Sequence, residues 1–251
     1  MKKLALALAA VAAFGGQAFA ADMARPYTKA PVPVVAPVSW TGCYLGAGGG
    51  GAYAVRRDNE YFTATNLPVS AVPDADAGAH GWFGTVQGGC DFQFGGNWVA
   101  GAFADYDFSD INGQYSLVNF TQVGTWKQDY SWAVGARIGY LVLPQLLTYV
   151  SGGYTQAHFK SIAFANFLGV PNTAGLPGQT RDGWFIGAGD EYALSMLPGL
   201  FWKTEYRYSR FDGASTPLTG AGFAGVFGDR TSRVEEHSVR SEIVYRFNWG
   251  R

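Results

Sequence analysis

The sequence has little charge, little cysteine and histidine, and no long hydrophobic run beyond its N-terminal residues. Charged residues make up only 15% of the chain, against roughly 25% in soluble domains. Basic and acidic residues number 18 and 19, so no basic patch for nucleic acid is expected. The most apolar later stretch, residues 134–150, is broken by Arg137 and Pro144, which argues against a membrane helix.

Glycine and aromatic residues are abundant instead, and the N-terminus carries a targeting pattern. Lys2 and Lys3 precede an apolar run over residues 4–14, and small residues at Ala18 and Ala20 form a cleavage site. This pattern predicts a signal peptide over residues 1–20. An exported, aromatic-rich chain with low charge and no membrane helix fits a transmembrane barrel, since only helices and closed barrels satisfy every backbone hydrogen bond in lipid.

Residues 21–38 are rich in proline, with Pro26, Pro31, Pro33 and Pro37. Proline removes backbone donors and favours an extended polyproline form. The segment is expected to be a semi-rigid periplasmic leader to the barrel, with a disordered tail as the alternative.

From Ser39 onward, segments of the chain alternate in polarity every second residue, as strands do that cross a bilayer. Short connections at 95–96, 144–145 and 196–199 alternate with long ones at 55–80, 110–124, 161–180 and 213–235. Short periplasmic turns and long extracellular loops are typical of outer-membrane barrels, whereas a soluble sandwich lacks this strict alternation. The fold prediction is all-β: an eight-stranded antiparallel transmembrane β-barrel over residues 39–251. Its expected strands are 39–54, 81–94, 97–109, 125–142, 147–160, 181–194, 200–212 and 236–249.

The two faces of these segments differ in chemistry. One face is apolar with aromatics near its ends, as in the fourth segment with Trp126, Trp132 and Tyr140, and is expected to face lipid. The other face carries charges, which should point inward because a lipid-facing cation at mid-depth costs about 2–4 kcal/mol. The predicted lumen charge network is Asp91, Asp105, Lys127, Asp129, Arg137, Glu191, Lys203, Glu205, Arg207, Arg240, Glu242 and Arg246.

These inward charges have both signs in nearly equal number and are expected to pair across a narrow lumen and plug it. A paired-carboxylate catalytic site, such as Glu205 with Glu242, is the alternative. Asp190 does not fit the pattern, because it shares the parity of the outward-facing Trp184 and Ile186. Either a bulge shifts the register there, or Asp190 lies near the lipid boundary.

Several motifs carry a family likeness. They are WTGCYLG at 40–46, GTVQGGC at 84–90, GARIGY at 135–140, GAGDEY at 187–192 and KTEYRY at 203–208. In this order they resemble strands of small alphaproteobacterial outer-membrane proteins of the RopB type, which are OmpA-like surface barrels of the porin family. The ending with Ile243, Tyr245 and Phe247 is similar to the C-terminal strand that the barrel assembly machinery reads. The resemblance implies a place in the Gram-negative outer membrane, surface exposure and envelope maintenance, with small-solute passage as a further expectation.

Cys43 and Cys90 lie about four residues from the periplasmic ends of neighbouring strands and both face outward by parity. Directly opposed residues in antiparallel strands lie within disulfide range, and the exported location favours oxidation. A cross-strand disulfide is therefore one hypothesis. Two free thiols in the lipid band are the other.

His80, His158 and His237 all fall near the outer ends of strands. They are expected to be solvated interface residues, with a metal or haem site at the rim as an alternative. A hydrolase site could use His158 with Ser161, or His237 with Ser238, but sequence adjacency alone is a weak indication of a triad. No enzyme activity and no cofactor are therefore predicted.

Three function classes remain. The favoured one is a structural surface barrel with a plugged lumen and a role in envelope integrity. A narrow, porin-like channel for small solutes is the first alternative, and a ligand-binding or lipid-modifying barrel is the second. The expected partners are outer-membrane lipid, lipopolysaccharide and the barrel assembly machinery, with no nucleic acid.

Overall fold

The computed structural model describes residues 38–68, 75–117, 122–166, 168–220 and 227–247. The predicted signal peptide at 1–20, and the predicted leader up to residue 37, lie outside the described residues. No helix in the described part of the chain is long and apolar enough to cross a membrane.

The described residues form ten antiparallel strands, and eight long ones close into a ring. β1 pairs with β2 on one side and with β10 on the other, so that Cys43 faces both Cys90 and Phe247. This confirms the prediction of an eight-stranded barrel. The strands are β1 Gly42–Phe62, β2 Ala75–Phe94, β3 Trp98–Leu117, β4 Gln122–Leu143, β5 Leu146–Phe159, β6 Ile162–Asn166, β7 Pro171–Leu176, β8 Gln179–Ala193, β9 Leu200–Pro217 and β10 Phe227–Phe247.

The short turns are where the sequence predicted them, but the long connections are not simple loops. β1 continues to Phe62 and β10 begins at Phe227, so the strands extend well beyond the span of a bilayer. Within the predicted loop at 161–180, β6 and β7 form a hairpin that pairs with the outer end of β4. Polar residues face water there, so the alternation that marks a lipid-facing strand is lost.

The barrel interior has apolar side chains at both ends and charges between them. Trp40, Tyr44 and Phe201 are buried at the periplasmic end. Trp126, Phe159 and Phe211 are buried toward the external end, where the β6–β7 hairpin adds Ile162 and Phe164. On the lipid-facing wall the large apolar residues are exposed, including Trp82, Ile138, Val150, Trp202 and Ile243.

A bulge in β4 corrects the predicted face of its outer end. Tyr130 pairs with His158 and Gln128 pairs with Phe159, so two residues of β4 advance against one of β5. Alternation is broken at this point, and Trp126 and Gln128 point inward, each only 1% exposed. The prediction that Trp126 faces lipid is therefore wrong, because a bulge reverses the parity of every residue beyond it.

The register around Asp190 is regular. β8 pairs with β5 and with β9 without a shift, and Asp190 lies opposite Thr148 on one side and Thr204 on the other. Of the two alternatives left by the sequence, the structure selects an outward-facing Asp190 near the periplasmic end of β8.

Candidate functional site

The central feature of the lumen is a ring of four alternating charges near the periplasmic end. Arg137 from β4 contacts Asp91 at 2.5 Å and Glu191 at 2.8 Å. Arg246 from β10 contacts the same two carboxylates at 2.6 Å and 2.5 Å. All four side chains are at most 2% exposed. Each carboxylate is therefore held between two guanidinium groups, which offsets the cost of burying the charges.

Aromatic rings pack on this ring of charges and fill the periplasmic mouth. The Arg246 guanidinium lies 5.0 Å from the ring centroid of Tyr44 and 5.2 Å from that of Trp40. Trp40 packs on Phe201 with centroids 4.9 Å apart, and its Nε1 donates to the Pro144 carbonyl oxygen at 3.1 Å. The entry of the chain into β1 is thereby held against the β4–β5 turn.

A second cluster lies further up the lumen. Arg207 contacts Asp105 at 2.9 Å and Glu205 at 2.8 Å, and Arg240 contacts Asp105 at 3.5 Å. Arg240 also binds Asp107 at 3.0 Å. Asp107 lies two residues from Asp105 on β3 and therefore points to the same side of the strand. The predicted network omits it, although the alternation of β3 would place it in the lumen.

Lys203 stands between the two glutamates that the sequence offered as a catalytic pair. Its Nζ lies 3.7 Å from Glu205 and 3.5 Å from Glu242, and it donates to Gln87 Oε1 at 2.8 Å. Glu205 also accepts a hydrogen bond from the Tyr149 hydroxyl at 2.9 Å. The two carboxylates are thus bridged by a cation, as charge pairing requires.

Lys127 and Asp129 do not belong to the lumen network, and their predicted placement is wrong. Both lie at or beyond the β4 bulge and face outward. Lys127 Nζ contacts Asp110 at 2.6 Å, with a side chain that is 36% exposed. Asp129 contacts His158 Nδ1 at 2.5 Å and Lys160 at 3.9 Å. These ion pairs sit on the outer wall of the barrel, above the lipid band.

A third cluster lies inside the external part of the barrel, where the sequence predicted loops. Arg56 contacts Asp58 at 2.7 Å and Asp229 at 2.5 Å, and the Tyr115 hydroxyl donates to Asp229 at 2.9 Å. Burial, together with the nearby Asp58 carboxylate, raises the pKa of Asp229 to about 6. Burial, with Arg56 nearby, lowers the pKa of Arg181 to about 10. This cluster could not be predicted from the sequence, because polar and apolar residues do not alternate clearly in the outer ends of these strands.

Cys43 and Cys90 are joined by a disulfide in the structure and face each other across β1 and β2. Because both cysteines are in this bond, neither is available as a reactive thiol. Counting free thiols in denatured, unreduced protein tests the pairing, and we expect none. The bond ties together two strands near the periplasmic end.

The histidines do not converge with the serines beside them. His237 Nδ1 lies 2.7 Å from the Tyr206 hydroxyl on the outer wall, whereas Ser238 is buried in the lumen. His158 stacks on Tyr130 and contacts Asp129. Among the described residues, no group of three His, Cys, Asp or Glu side chains could hold a metal ion.

A closed ring of eight antiparallel strands, with an apolar outer wall and a charged interior, defines an outer-membrane β-barrel. The solved structure of OprG from Pseudomonas aeruginosa shares this fold, with a TM-score of 0.52 and 12% identity, covering 85% of this chain and 99% of that one.

Two similar proteins show which family of outer-membrane barrels the chain belongs to. The chain is 32% identical to the 31 kDa outer-membrane immunogenic protein of Brucella melitensis, over 96% of this chain and 98% of that protein. It is 26% identical to the 25 kDa outer-membrane immunogenic protein of Brucella canis, over 98% and 99%. No protein-family model matches. The chain belongs to the family of these outer-membrane immunogenic proteins and is an outer-membrane protein of a Gram-negative bacterium.

Proposed function

We propose that this protein is a structural surface barrel that supports envelope integrity, and that its own side chains seal its lumen. The observation that carries the proposal is the buried ring of Arg137, Arg246, Asp91 and Glu191. A water-filled pore would solvate these groups, whereas here their charges are satisfied by one another.

The layer above the charges supports the same proposal. Trp126 stacks on Phe159 with centroids 5.5 Å apart, and Phe159 meets Phe211 edge-on at 6.0 Å. An ion passing from the charged middle of the lumen to the outside would lose its hydration against these rings. The β6–β7 hairpin adds Ile162 and Phe164 to this layer.

A narrow channel is the second candidate, and one observation favours it. The side-chain oxygens of Thr85, Ser151 and Ser238 are buried in the middle of the lumen without a hydrogen-bond partner among the described residues. Such groups could line a polar path. The apolar layer at Trp126 lies across that path, which makes the sealed lumen the better-supported proposal.

Planar-bilayer conductance separates the two candidates. We expect refolded protein, shown to be folded by its heat-modifiable gel mobility, to give no steady openings. A variant carrying Arg137→Ala and Glu191→Ala removes one cation and one anion together, so that net charge is kept. We expect it to stay closed, because the apolar layer at Trp126 still lies across the lumen, and to conduct once Trp126→Ala and Phe159→Ala are added. Steady, salt-dependent openings of the unmodified protein would contradict the sealed lumen and favour the channel.

The remaining partners and the absence of enzyme activity are part of the proposal. Ile243, Tyr245 and Phe247 all face outward on β10, a pattern suited to recognition by the barrel assembly machinery. The outward-facing Lys127, above the lipid band, could approach lipopolysaccharide phosphates. Lys203 bridges the two carboxylates considered as a catalytic pair, Glu205 and Glu242. The barrel wall separates His237 from Ser238. A hydrolytic role therefore has no support in the described residues.

A further inference from the structure

One row of side chains on the lipid-facing wall is polar. Thr148 of β5, Asp190 of β8, Thr204 of β9 and Ser241 of β10 are register partners in succession, and all four are exposed. The neighbouring outward rows are largely apolar or aromatic: Val150, Ala188, Tyr206 and Val239 on one side, and Tyr192, Trp202 and Ile243 on the other. A continuous polar row on this wall needs an explanation, because the wall otherwise matches the hydrocarbon.

Asp190 is the charged member of the row and has no cation beside it. Its Oδ1 accepts a hydrogen bond from Thr148 Oγ1 at 2.6 Å. Among the described residues, no Lys, Arg or His nitrogen lies within ion-pair distance of it. The outward-facing Asp110 and Asp129 differ, because each has a cationic partner.

The depth of Asp190 points to the headgroup region of the periplasmic leaflet. Tyr192, two residues and about 7 Å further along β8, is the next outward-facing residue toward the periplasm and is 41% exposed. Exposed tyrosine and tryptophan side chains mark the membrane interface. The carboxylate therefore lies just inside this interface, where phospholipid headgroups meet the first part of their acyl chains.

We propose that this row, called here the Asp190 row (Thr148, Asp190, Thr204 and Ser241), binds a periplasmic-leaflet phospholipid with a primary ammonium headgroup. The ammonium supplies the positive charge that Asp190 lacks and three N–H donors for the carboxylate and the Thr204 hydroxyl. The Trp202 ring, whose Nε1 donates to Ser241 Oγ at 2.7 Å, lies beside the row and can contact the headgroup.

The acyl chains have room above the headgroup. Ala188 is the next outward residue of β8 toward the membrane centre, between Val150 of β5 and Tyr206 of β9. The small side chain of Ala188 leaves a shallow groove between the larger side chains of Val150 and Tyr206. A second copy of the chain, packed about a two-fold axis at this row, would bring two Asp190 carboxylates together, and that repulsion disfavours it.

The test is lipid retention by the refolded protein. Protein is reconstituted in vesicles of equal parts phosphatidylethanolamine and phosphatidylcholine with identical acyl chains, and co-purifying lipid is identified by native mass spectrometry. We expect retained phosphatidylethanolamine to exceed phosphatidylcholine, and Asp190→Asn to reduce this enrichment roughly tenfold, the effect of one charge-assisted hydrogen bond.

Asp182→Asn is the matched control. Asp182 faces outward on the same strand but lies toward its external end, where the Gln156 amide donates to it at 2.7 Å. The same change there should leave the enrichment intact. Equal retention of both lipids by the unmodified protein, equal enrichment in Asp190→Asn, or a retained protein dimer in place of lipid would each overturn the proposal.

Discussion

Arginine dominates the buried ion pairs of this barrel, and the geometry of its side chain explains why. The fork of Arg137 reaches Asp91 and Glu191 at once, and the fork of Arg246 does the same from the opposite side. Lysine offers a single point charge without a fixed fork. Lys203 does bridge two glutamates from neighbouring strands, but at 3.7 Å and 3.5 Å. Each guanidinium therefore ties separate strands of the barrel together through the lumen.

Replacing Arg137 by methionine should lower the free energy of unfolding by about 3 kcal/mol, because Asp91 and Glu191 each lose one of two buried partners. Arg246 still contacts both carboxylates, which keeps the loss of stability at the low end for a broken buried ion pair. Urea unfolding of the refolded protein in detergent micelles measures the free energy of unfolding. Arg210→Met is the control, since Arg210 is exposed on the outer wall; a similar loss in both variants would contradict the special role of the ring.

The external cluster should make stability depend on pH. The pKa of Asp229, about 6, lies above its unfolded value near 3.9, so the folded state binds the proton more tightly. The free energy of unfolding should therefore fall by roughly 1–3 kcal/mol as the pH rises from about 4 to about 6.

Asp229→Asn should make this slope shallower, because the amide carries no charge at any pH, while the other buried carboxyls, Glu236 among them, keep their own contribution. Urea unfolding at pH 4.5 and pH 7 measures the difference for each protein. Asp212→Asn takes a carboxylate from an exposed site on β9 and controls for the change in net charge. An unchanged pH slope in Asp229→Asn would show that another group is responsible.

At the scale of strands, the bulge in β4 decides which residues line the external half of the lumen. Without it, strict alternation from Tyr130 would turn Gln128 outward and Lys127 inward. With it, Trp126 joins the apolar layer and Lys127 reaches Asp110 on the outer wall. One irregular position thus converts a strand that would carry a charge inward into one that seals the lumen.

Single-cysteine variants can test the bulge. Cys43 and Cys90 are disulfide-bonded in the structure, so an introduced thiol is the only free one in the described part of the chain. Lys127→Cys should react with a membrane-impermeant maleimide added to the folded protein, whereas Gln128→Cys should be protected. The reverse pattern would mean that β4 alternates without interruption.

For the whole molecule, the decisive contact is the pairing of β1 with β10, which closes the ring so that each of its eight described strands has a neighbour on both sides. Close approach at this seam requires glycine in β1. A Cβ at Gly48 would lie 2.7 Å from Glu242 Cα, and closer still to the Ser241 carbonyl oxygen. At Gly51, on the lipid-facing side, the nearest atom would be 3.7 Å away.

Gly48→Val should therefore prevent closure, and most of the protein should fail to show the heat-modifiable gel mobility of a folded barrel. Gly51→Val places the same side chain on the same strand, where its Cβ meets its nearest neighbour at an ordinary contact distance, and it should fold normally. Equal folding of both variants would contradict the close packing of the seam.

Much of the fold follows from residues that can be read directly. The sequence predicts the tight turns at Gly95 and Pro144 from their turn-forming residues. It predicts the inward direction of Arg137, Lys203 and Arg246 because lipid on one face and a narrow lumen on the other impose a strict two-residue period. That rule weakens above the membrane, where water contacts the outer wall. Arg56, Asp58 and the β6–β7 hairpin were missed for this reason.

The sequence by itself determined the strand-forming segments, the periplasmic turns and the charged character of the interior, since these depend on local alternation and turn chemistry. Only the tertiary structure decided that Arg137 and Arg246 share Asp91 and Glu191, that β4 reverses its faces near Asp129, and that Asp190 belongs to a polar row. These features depend on register between strands distant in sequence and on closure of the ring. A local pattern fixes which way a side chain points but not which side chain it meets.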